Sequence, residues 1–352
     1  MVVEQFLPAL HDGDAIGNST LCFHRYLQNR GIESRIVAMT VDPVLEDVAV
    51  PFEEYKHMPA SIKILHFAVP SALTDFFLHT TGKKVMIYHN ITPPAFFSDF
   101  SDELTRFTAE GRRHLESLRD CFDLCVADSR FNADELSTLD FPRTTVFPIM
   151  IDLAAYDQPY SRGFHDQFHD GRRNLIFVGR VSPNKRIEDL VKTVFFYKKY
   201  ISPSVRLIVA GKTNSCPRYF LAVRDLASRF HLTSEDIVFT GHVPFEELLA
   251  VYRLGDVFLS MSEHEGFCLP LIESCHFAVP VIAHAAGAVP ETLDGAGLLV
   301  SGKRYDLTAA LIERVVEDAD LHTMLKRKAA DRMTRYRKEA RPAELLNRLD
   351  CL

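Results

Sequence analysis

The sequence has no apolar run that approaches the roughly 18 residues of a membrane-spanning helix. Its first ten residues include Glu4 and lack the basic segment that opens a secretory signal peptide. Its seven cysteines are an odd number without C-x-x-C spacing, which argues against a disulfide framework and against a zinc site. Together these absences predict a cytoplasmic protein with reduced thiols.

The chain also lacks an excess of positive charge. Its 40 lysine and arginine residues face 47 aspartate and glutamate residues, and the formal net charge is −7. Because such a surface does not attract a phosphate backbone, we expect no nucleic-acid partner. The exception is the segment 324–352, in which nine Lys or Arg residues outnumber four Asp or Glu residues.

Short apolar segments alternate with segments of helical length along most of the 352 residues. In the first half, strands are predicted near 2–7, 35–38, 62–67, 84–89, 124–128 and 144–147. In the second half, they are predicted near 174–179, 205–211, 237–241, 256–260, 279–283 and 297–300. This alternation is typical of α/β proteins with parallel sheets covered on both faces. The sequence therefore predicts two Rossmann-like, doubly wound parallel-sheet domains facing each other across a cleft.

A polar, turn-rich segment separates the two series of strands. Residues 152–173 contain a proline and two glycines but no apolar period, which indicates a connection between domains. The predicted boundaries are a first domain at 1–152, a linker at 153–173, a second domain at 174–325 and a basic C-terminal tail at 326–352.

The segment 263–273 combines two carboxylates with a glycine turn. Glu265 follows a predicted strand, and Glu273 lies eight positions later in a predicted helix. Gly266 lets the backbone approach a ligand, and the amides that follow open a helix N-terminus suited to an anion. The spacing matches the E-x7-E signature of retaining glycosyltransferases of the GT-B fold. The wider sequence resembles family 4 of these enzymes.

The resemblance extends over nearly the whole chain and implies roles for both carboxylates. Glu265 would orient the transferred sugar, and Glu273 would accept hydrogen bonds from the ribose of the donor. The remaining donor-binding residues of this segment are expected to be Gly266, Phe267, Cys268 and Leu269. Cys268 has no evident histidine partner in the sequence, so we do not expect a nucleophilic role for it.

A glycine turn with two cations follows the first strand of the second domain. Arg180 and Lys185 lie in this turn, where Arg offers a bidentate fork and Lys a mobile point charge. In the resembled family, the matching cations hold the pyrophosphate of the donor and stabilise the leaving group. The resemblance therefore assigns this role to Arg180 and Lys185, whereas Arg186 is expected to be a bystander.

The loop after the first predicted strand contains Gly13 and Gly17, whose amides are expected to face a donor phosphate. The resembled family usually carries a double glycine there. Asp12 and Asp14 have the D-x-D spacing of a metal site that belongs to a different, single-domain glycosyltransferase fold. We therefore expect no metal ion and no other cofactor, and Asp14 is left to face the acceptor.

His89 ends a predicted strand and enters a proline-rich loop. In the resembled family, a histidine at this strand end touches the transferred sugar. His89 is therefore assigned a catalytic role together with Glu265, Arg180 and Lys185. Ser129 begins a predicted helix and fits either an ordinary N-cap or a ligand contact.

These residues and the resemblance imply a retaining hexosyltransferase. It would transfer a hexose, with mannose as the first candidate, from a nucleotide diphosphate sugar to a hydroxyl of a sugar or lipid-linked acceptor. Bacterial surface polysaccharide synthesis is the role that the family most often implies. A nucleotide-sugar 2-epimerase on the same fold and a non-catalytic nucleotide-sugar-binding protein are the alternatives.

The basic tail has two interpretations. Apolar residues at helical period predict a terminal helix that packs on the second domain and exposes its charges. In GT-B enzymes the final helix often crosses back to the first domain, and Pro342 marks a break before such a crossing. The alternative is peripheral contact with the inner membrane surface, because clustered Lys and Arg are attracted to anionic lipid.

Overall fold

The computed structural model describes residues 1–11 and 13–352, which form two compact units. The segments Met1–Ala95, Glu103–Asp152 and Tyr336–Leu352 make up unit 1. The segments Phe96–Asp102 and Leu153–Arg335 make up unit 2. Each unit is built on one parallel sheet, so the predicted pair of parallel α/β sheets is confirmed.

Within the described residues, the sheet of unit 1 has seven strands and the sheet of unit 2 has six. The strands of unit 1 are β1 (Val2–Leu10), β2 (Glu33–Val41), β3 (Ala49–Pro51), β4 (Ile62–Phe67), β5 (Lys83–Tyr88), β6 (Leu124–Ala127) and β7 (Thr144–Val146). The strands of unit 2 are β8 (Arg173–Val178), β9 (Val205–Ala210), β10 (Ile237–Gly241), β11 (Val257–Ser260), β12 (Val281–His284) and β13 (Leu298–Val300).

The α-helices cover both sheets. They are α1 (Ala15–Asn29), α2 (Leu73–His79), α3 (Asp102–Ser117), α4 (Arg130–Thr138), α5 (Leu153–Tyr156), α6 (Arg162–Phe168), α7 (Ile187–Tyr200), α8 (Pro217–Arg229), α9 (Phe245–Leu254), α10 (Leu269–His276), α11 (Val289–Leu293), α12 (Tyr305–Glu317), α13 (Ala319–Glu339) and α14 (Pro342–Asp350). No helix in the described part of the chain is long and apolar enough to cross a membrane.

The order of the strands locates a switch point in each sheet. The order is β3-β2-β1-β4-β5-β6-β7 in unit 1 and β10-β9-β8-β11-β12-β13 in unit 2. The chain therefore reverses its winding between β1 and β4, and again between β8 and β11. Ligands of such sheets bind outside the carboxyl ends of the strands at this point.

Complete burial explains why the central strands were easy to predict. All six residues of β4 are buried, as are all six residues of β9. Because both faces of a parallel sheet are covered, its strands appear as mostly apolar runs. The edge strand β3 was not predicted, since it has only three residues and ends in Pro51.

The C-terminal helix α14 belongs to unit 1. Leu345 and Leu349 are buried in a core cluster that also contains Val3 and Phe23. The Arg348 guanidinium donates a hydrogen bond to the Val146 carbonyl oxygen at 3.0 Å. The side chains of α14 thus pack into the same core as residues near the start of the chain.

Three boundaries differ from the prediction. The predicted linker contains α5 and α6 and belongs to unit 2, because residues such as Phe168 are buried there. The predicted border at 325/326 falls inside the continuous helix α13, and the division comes after Arg335. The segment Phe96–Asp102 groups with unit 2, where the Phe100 ring packs edge-on against Tyr219 at 5.2 Å.

Candidate active site

In unit 2, the loops after β8 and β11 meet at the switch point of the sheet. The strands β8 and β11 are hydrogen-bonded neighbours, so their carboxyl ends lie side by side. Two hydrogen bonds join the loops: Asn184 Nδ2 donates to the His264 carbonyl at 3.1 Å, and the Glu263 amide donates to the Asn184 carbonyl at 2.9 Å. Sequence reasoning missed Asn184, since a single asparagine in a turn carries no distinguishing signal.

The central feature of this site is an ion pair between Lys185 and Glu265. The Lys185 ammonium donates to both carboxylate oxygens of Glu265 at 2.7 Å. The two side chains are only 17% and 7% exposed, which strengthens their attraction relative to a surface pair. The structure thus brings together two of the four residues that were predicted to be catalytic.

A close backbone approach fixes the position of Glu265. Gly287 has a φ of +55°, and a Cβ atom there would lie 2.5 Å from the Glu265 carbonyl oxygen. The next amide, that of Ala288, donates to the same oxygen at 3.0 Å. Only glycine permits this contact, so Gly287 is a supporting residue that sequence reasoning missed.

Arg180 and Arg186 differ in their surroundings. The Arg180 side chain is exposed in the loop after β8, and no hydrogen bond or ion pair to it occurs among the residues that the structure describes. Arg186 was expected to be a bystander, but its Nε atom donates to Glu263 at 2.6 Å and its Nη1 atom lies 3.3 Å from Glu188. Arg186 therefore braces the two loops, whereas Arg180 is available to a ligand.

The predicted donor segment lies at the start of α10. Phe267, Cys268 and Leu269 are all buried, and the Thr292 hydroxyl donates to the Phe267 carbonyl at 2.5 Å. Cys268 has a φ of +67°, in the left-handed region. Burial and the nearby Glu265 carboxylate raise the pKa of the Cys268 thiol well above its usual range. A raised pKa disfavours the thiolate, which is the nucleophilic form of cysteine.

Glu273 lies on α10 inside unit 2, 5% exposed. Its two carboxylate oxygens accept hydrogen bonds of 2.5 Å from the hydroxyls of Tyr156 and Tyr252. Burial raises the pKa of the Glu273 carboxyl, while the two phenol hydrogen bonds oppose that rise. The expected ribose ligand is therefore a carboxylate that already binds two protein donors. Neither tyrosine could be inferred from the sequence, because both lie far from Glu273 along the chain.

In unit 1, Asp14 caps helix α1. Its carboxylate accepts hydrogen bonds from the amides of Ile16 at 3.1 Å and Gly17 at 3.2 Å. Asp14 therefore has a local structural role, and the Gly17 amide donates to it rather than to an outside anion. Gly13 adopts a φ of +75°, whereas Asp12 of the D-x-D spacing lies outside the described residues.

His89 follows β5 and is buried between two polar partners. Its Nδ1 atom lies 2.7 Å from Asp128 Oδ2, and its Nε2 atom lies 3.0 Å from His66 Nδ1. Both ring nitrogens are thus engaged inside unit 1, whereas the sequence predicted contact with a sugar. Asp128 follows β6 as His89 follows β5, and this shared strand-end position was the signal that could have paired them. Ser129 accepts from the Asn132 amide at 3.1 Å, which confirms the N-cap interpretation.

No group of three or more His, Cys, Asp or Glu side chains in the described ranges is arranged to hold a metal ion. The cations at the candidate site are instead side chains of the protein. Arg and Lys suit a phosphorylated ligand, because both donate charge-assisted hydrogen bonds.

Comparison with known proteins relates this geometry to a family. Residues 164–332 match the family described as glycosyl transferases group 1. A GDP-mannose-dependent alpha-mannosyltransferase of Mycobacterium tuberculosis is 26% identical over 326 residues, which cover 82% of this chain and 79% of that protein. A GDP-mannose-dependent alpha-(1-6)-phosphatidylinositol monomannoside mannosyltransferase of the same species is 28% identical, but the match spans only 42% of this chain and 40% of that protein.

Solved structures share the fold over nearly the whole chain. HepE of Anabaena in complex with UDP-glucose superposes with a TM-score of 0.74 at 15% identity, covering 99% of both chains. WaaG, a glycosyltransferase involved in lipopolysaccharide biosynthesis, gives a TM-score of 0.73 at 13% identity, covering 97% of this chain and 98% of that chain. The chain therefore has the two-sheet GT-B fold of these structures, and its residues 164–332 are similar to the glycosyl transferases group 1 family.

Proposed function

We propose that the protein is a retaining glycosyltransferase that moves a hexosyl group from a nucleotide diphosphate sugar to an acceptor hydroxyl. The observation that carries this proposal is the buried Lys185–Glu265 pair at the switch point of unit 2. The exposed Arg180 on the same loop supports it, because a diphosphate needs more than one cation. Mannose is the first candidate sugar, since the two mycobacterial relatives are named as GDP-mannose-dependent enzymes.

Charge balance explains how the pair would respond to a donor. In the free protein, the Glu265 carboxylate neutralises the Lys185 ammonium. A bound diphosphate adds negative charge and attracts Lys185 together with the guanidinium of Arg180. The lone pairs of Glu265 that faced Lys185 then become available to accept hydrogen bonds from hydroxyls of the sugar. Lys185 would thus bind the diphosphate of the donor, and Glu265 would bind its sugar.

The transfer step breaks the bond between the anomeric carbon and the phosphate oxygen. Positive charge develops on the sugar, and the electron pair leaves with the diphosphate, where Arg180 and Lys185 stabilise it. The acceptor hydroxyl forms the new bond on the same face, and its proton passes to the departing phosphate oxygen. No carboxylate nucleophile is needed for retention by this route.

A donor screen with product analysis tests the proposal. The protein is incubated with GDP-mannose, UDP-glucose and dTDP-glucose, each with and without a mannoside acceptor, and the products are followed by NMR. We expect a new glycoside with the anomeric configuration of the donor sugar, formed only when acceptor is present. An inverted product would contradict retention, and a donor isomerised without acceptor would indicate the epimerase.

Binding measurements separate turnover from recognition. We expect calorimetry to detect binding of the preferred donor and of its nucleoside diphosphate. As a control, Arg229→Ala removes an exposed arginine of α8 that is paired with Asp225, and it should bind the donor as the wild type does. Donor binding without turnover for every acceptor offered would favour the non-catalytic binding protein.

A further inference from the structure

A row of buried polar side chains crosses the sheet of unit 1. Gln5 lies on β1 and His66 on β4, whereas His89 and Asp128 directly follow β5 and β6. The Gln5 Oε1 atom lies 3.1 Å from His66 Nε2, His66 Nδ1 lies 3.0 Å from His89 Nε2, and His89 Nδ1 lies 2.7 Å from Asp128. The two imidazole rings are nearly parallel, with an interplanar angle of 3°.

The Gln5 amide fixes the direction of this row, meaning which atom of each hydrogen bond donates and which accepts. Gln5 Nε2 donates to the Thr20 carbonyl at 3.1 Å, and a carbonyl oxygen can only accept, so the amide cannot be turned around. Its oxygen therefore faces His66 Nε2, which must carry the hydrogen. The Thr20 hydroxyl, 3.3 Å from the same nitrogen, donates its own hydrogen to the Ile16 carbonyl and is a second acceptor.

The direction continues through both rings. Burial, followed by the nearby His89, lowers the pKa of His66 well below its usual value, so His66 is neutral and its Nδ1 atom carries no hydrogen. That bare nitrogen can only accept, and His89 must donate to it from Nε2. One proton is then shared between His89 Nδ1 and the carboxylate of Asp128.

We propose that His66, oriented by Gln5, is a positioning residue that keeps a hydrogen on the Nε2 atom of His89. This inference rests on the proposed function, in which His89 serves the transfer reaction. A ligand oxygen that shared the Nε2 hydrogen of His89 with His66 would meet a hydrogen-bond donor and not a base. His89 would accordingly orient or stabilise an oxygen of the sugar and would not deprotonate the acceptor.

Other charged groups near this row are paired elsewhere. Glu135 accepts from the Tyr88 hydroxyl at 2.7 Å and forms an ion pair of 2.7 Å with Arg112. Burial raises the pKa of Asp128, whereas the charge of His89 and its hydrogen bond oppose the rise. The hydrogen bond between His89 and Asp128 is thus separate from the ion pair between Glu135 and Arg112.

Nitrogen NMR of the full chain tests the proton positions directly, without any donor sugar. The protein contains 15 histidines, and spectra of His66→Asn and His89→Asn assign two of them in ¹⁵N-histidine-labelled protein. At neutral pH we expect a neutral His66 with its hydrogen on Nε2, and a hydrogen on Nε2 of His89. A hydrogen on Nδ1 of His66 in the wild-type spectrum would overturn the inference.

Two substitutions of Gln5 test the origin of the direction. Gln5→Glu keeps an acceptor for His66, so the hydrogen should stay on Nε2. Gln5→Met removes the acceptor, and we expect the His66 signals to move toward the other tautomer. Identical tautomer populations in the wild type and Gln5→Met would show that Gln5 does not set the direction.

Activity measurements separate a positioning role from packing. His66→Asn can place its Oδ1 atom where the Nδ1 acceptor was, whereas His66→Leu leaves the His89 donor unpaired. We expect Leu to lower kcat about tenfold more than Asn, since an unpaired buried donor is costly. Equal kcat values and pH profiles would reduce His66 to a packing residue. Absence of any transfer with the expected tautomers would refute the proposed function alone.

Discussion

At the scale of single residues, the two carboxylates of the E-x7-E segment have different partners. Glu265 binds an ammonium group, whereas Glu273 binds two phenol hydroxyls inside unit 2. Their spacing was readable from the sequence, whereas the ion pair of Glu265 with Lys185 depends on the pairing of strands β8 and β11 in the sheet. The partners of Glu273 were not readable, since Tyr156 lies 117 residues away and tyrosine on a helix has no signature.

The burial of Glu273 predicts how stability changes with pH. Its pKa is raised from an ordinary value of 4.5, so the folded state holds this proton more tightly than the unfolded state. The resulting stabilisation is present below pH 4.5 and is lost as the pH rises through the raised pKa. In urea unfolding, we expect the wild type to lose stability relative to Glu273→Gln between pH 4.5 and pH 7. A difference that is constant over this range would contradict the prediction.

Arg180 is the residue whose removal should affect turnover without affecting folding. It is exposed, so Arg180→Ala should leave the melting temperature unchanged. If its guanidinium stabilises the leaving diphosphate, kcat should fall by about 10²-fold, as for loss of one preorganised donor. The exposed Arg229 provides the control, and Arg229→Ala should keep the wild-type kcat. Equal activity of the two variants would remove Arg180 from the site.

At the scale of elements, length and burial decided what the sequence could predict. The runs that became β4 and β9 are mostly apolar and fully buried because both faces of each strand are covered. Helix α5 has four residues and α6 has seven, which is too short for an amphipathic period to stand out. Backbone geometry, such as the close approach of Gly287 to Glu265, leaves no periodic pattern at all.

The start of α10 contains a strained residue that can be tested. Cys268 has a φ of +67°, a conformation that glycine adopts freely and that a β-branched residue strongly disfavours. We expect Cys268→Val to lower the free energy of unfolding by about 1–3 kcal/mol more than Cys268→Gly. Chemical denaturation of the two variants measures this difference. Equal stabilities would mean that the backbone at 268 is not held in this conformation.

At the scale of the whole molecule, the cations of the candidate site come from side chains. We propose that transfer needs no divalent metal, and we expect EDTA to leave the initial rate unchanged. Arg and Lys already supply the positive charge that a metal would bring to a diphosphate. Loss of activity in EDTA that manganese or magnesium restores would contradict this expectation and would return attention to Asp12 and Asp14.

The apolar face of the basic C-terminal segment is buried in the interior of the protein. Leu325, Met333 and Tyr336 are buried, while the exposed cations are Lys326, Arg327, Lys328, Arg335, Arg337, Lys338 and Arg341. Without an apolar anchor, attraction to lipid depends on charge alone and is screened by salt. We expect no sedimentation with anionic vesicles at about 0.15 M salt. Sedimentation with anionic but not neutral vesicles at that salt would establish a membrane contact.

The place of α14 in unit 1 has a consequence for synthesis on the ribosome. Arg348 contacts Val146, 202 residues earlier in the chain, and Leu345 and Leu349 enter the same core as Val3. A nascent chain that has emerged only through β7 therefore lacks part of its hydrophobic interior. Domains usually fold in the order of translation, but here the core of unit 1 is complete only after unit 2 has been translated. The half that is made first is therefore completed last.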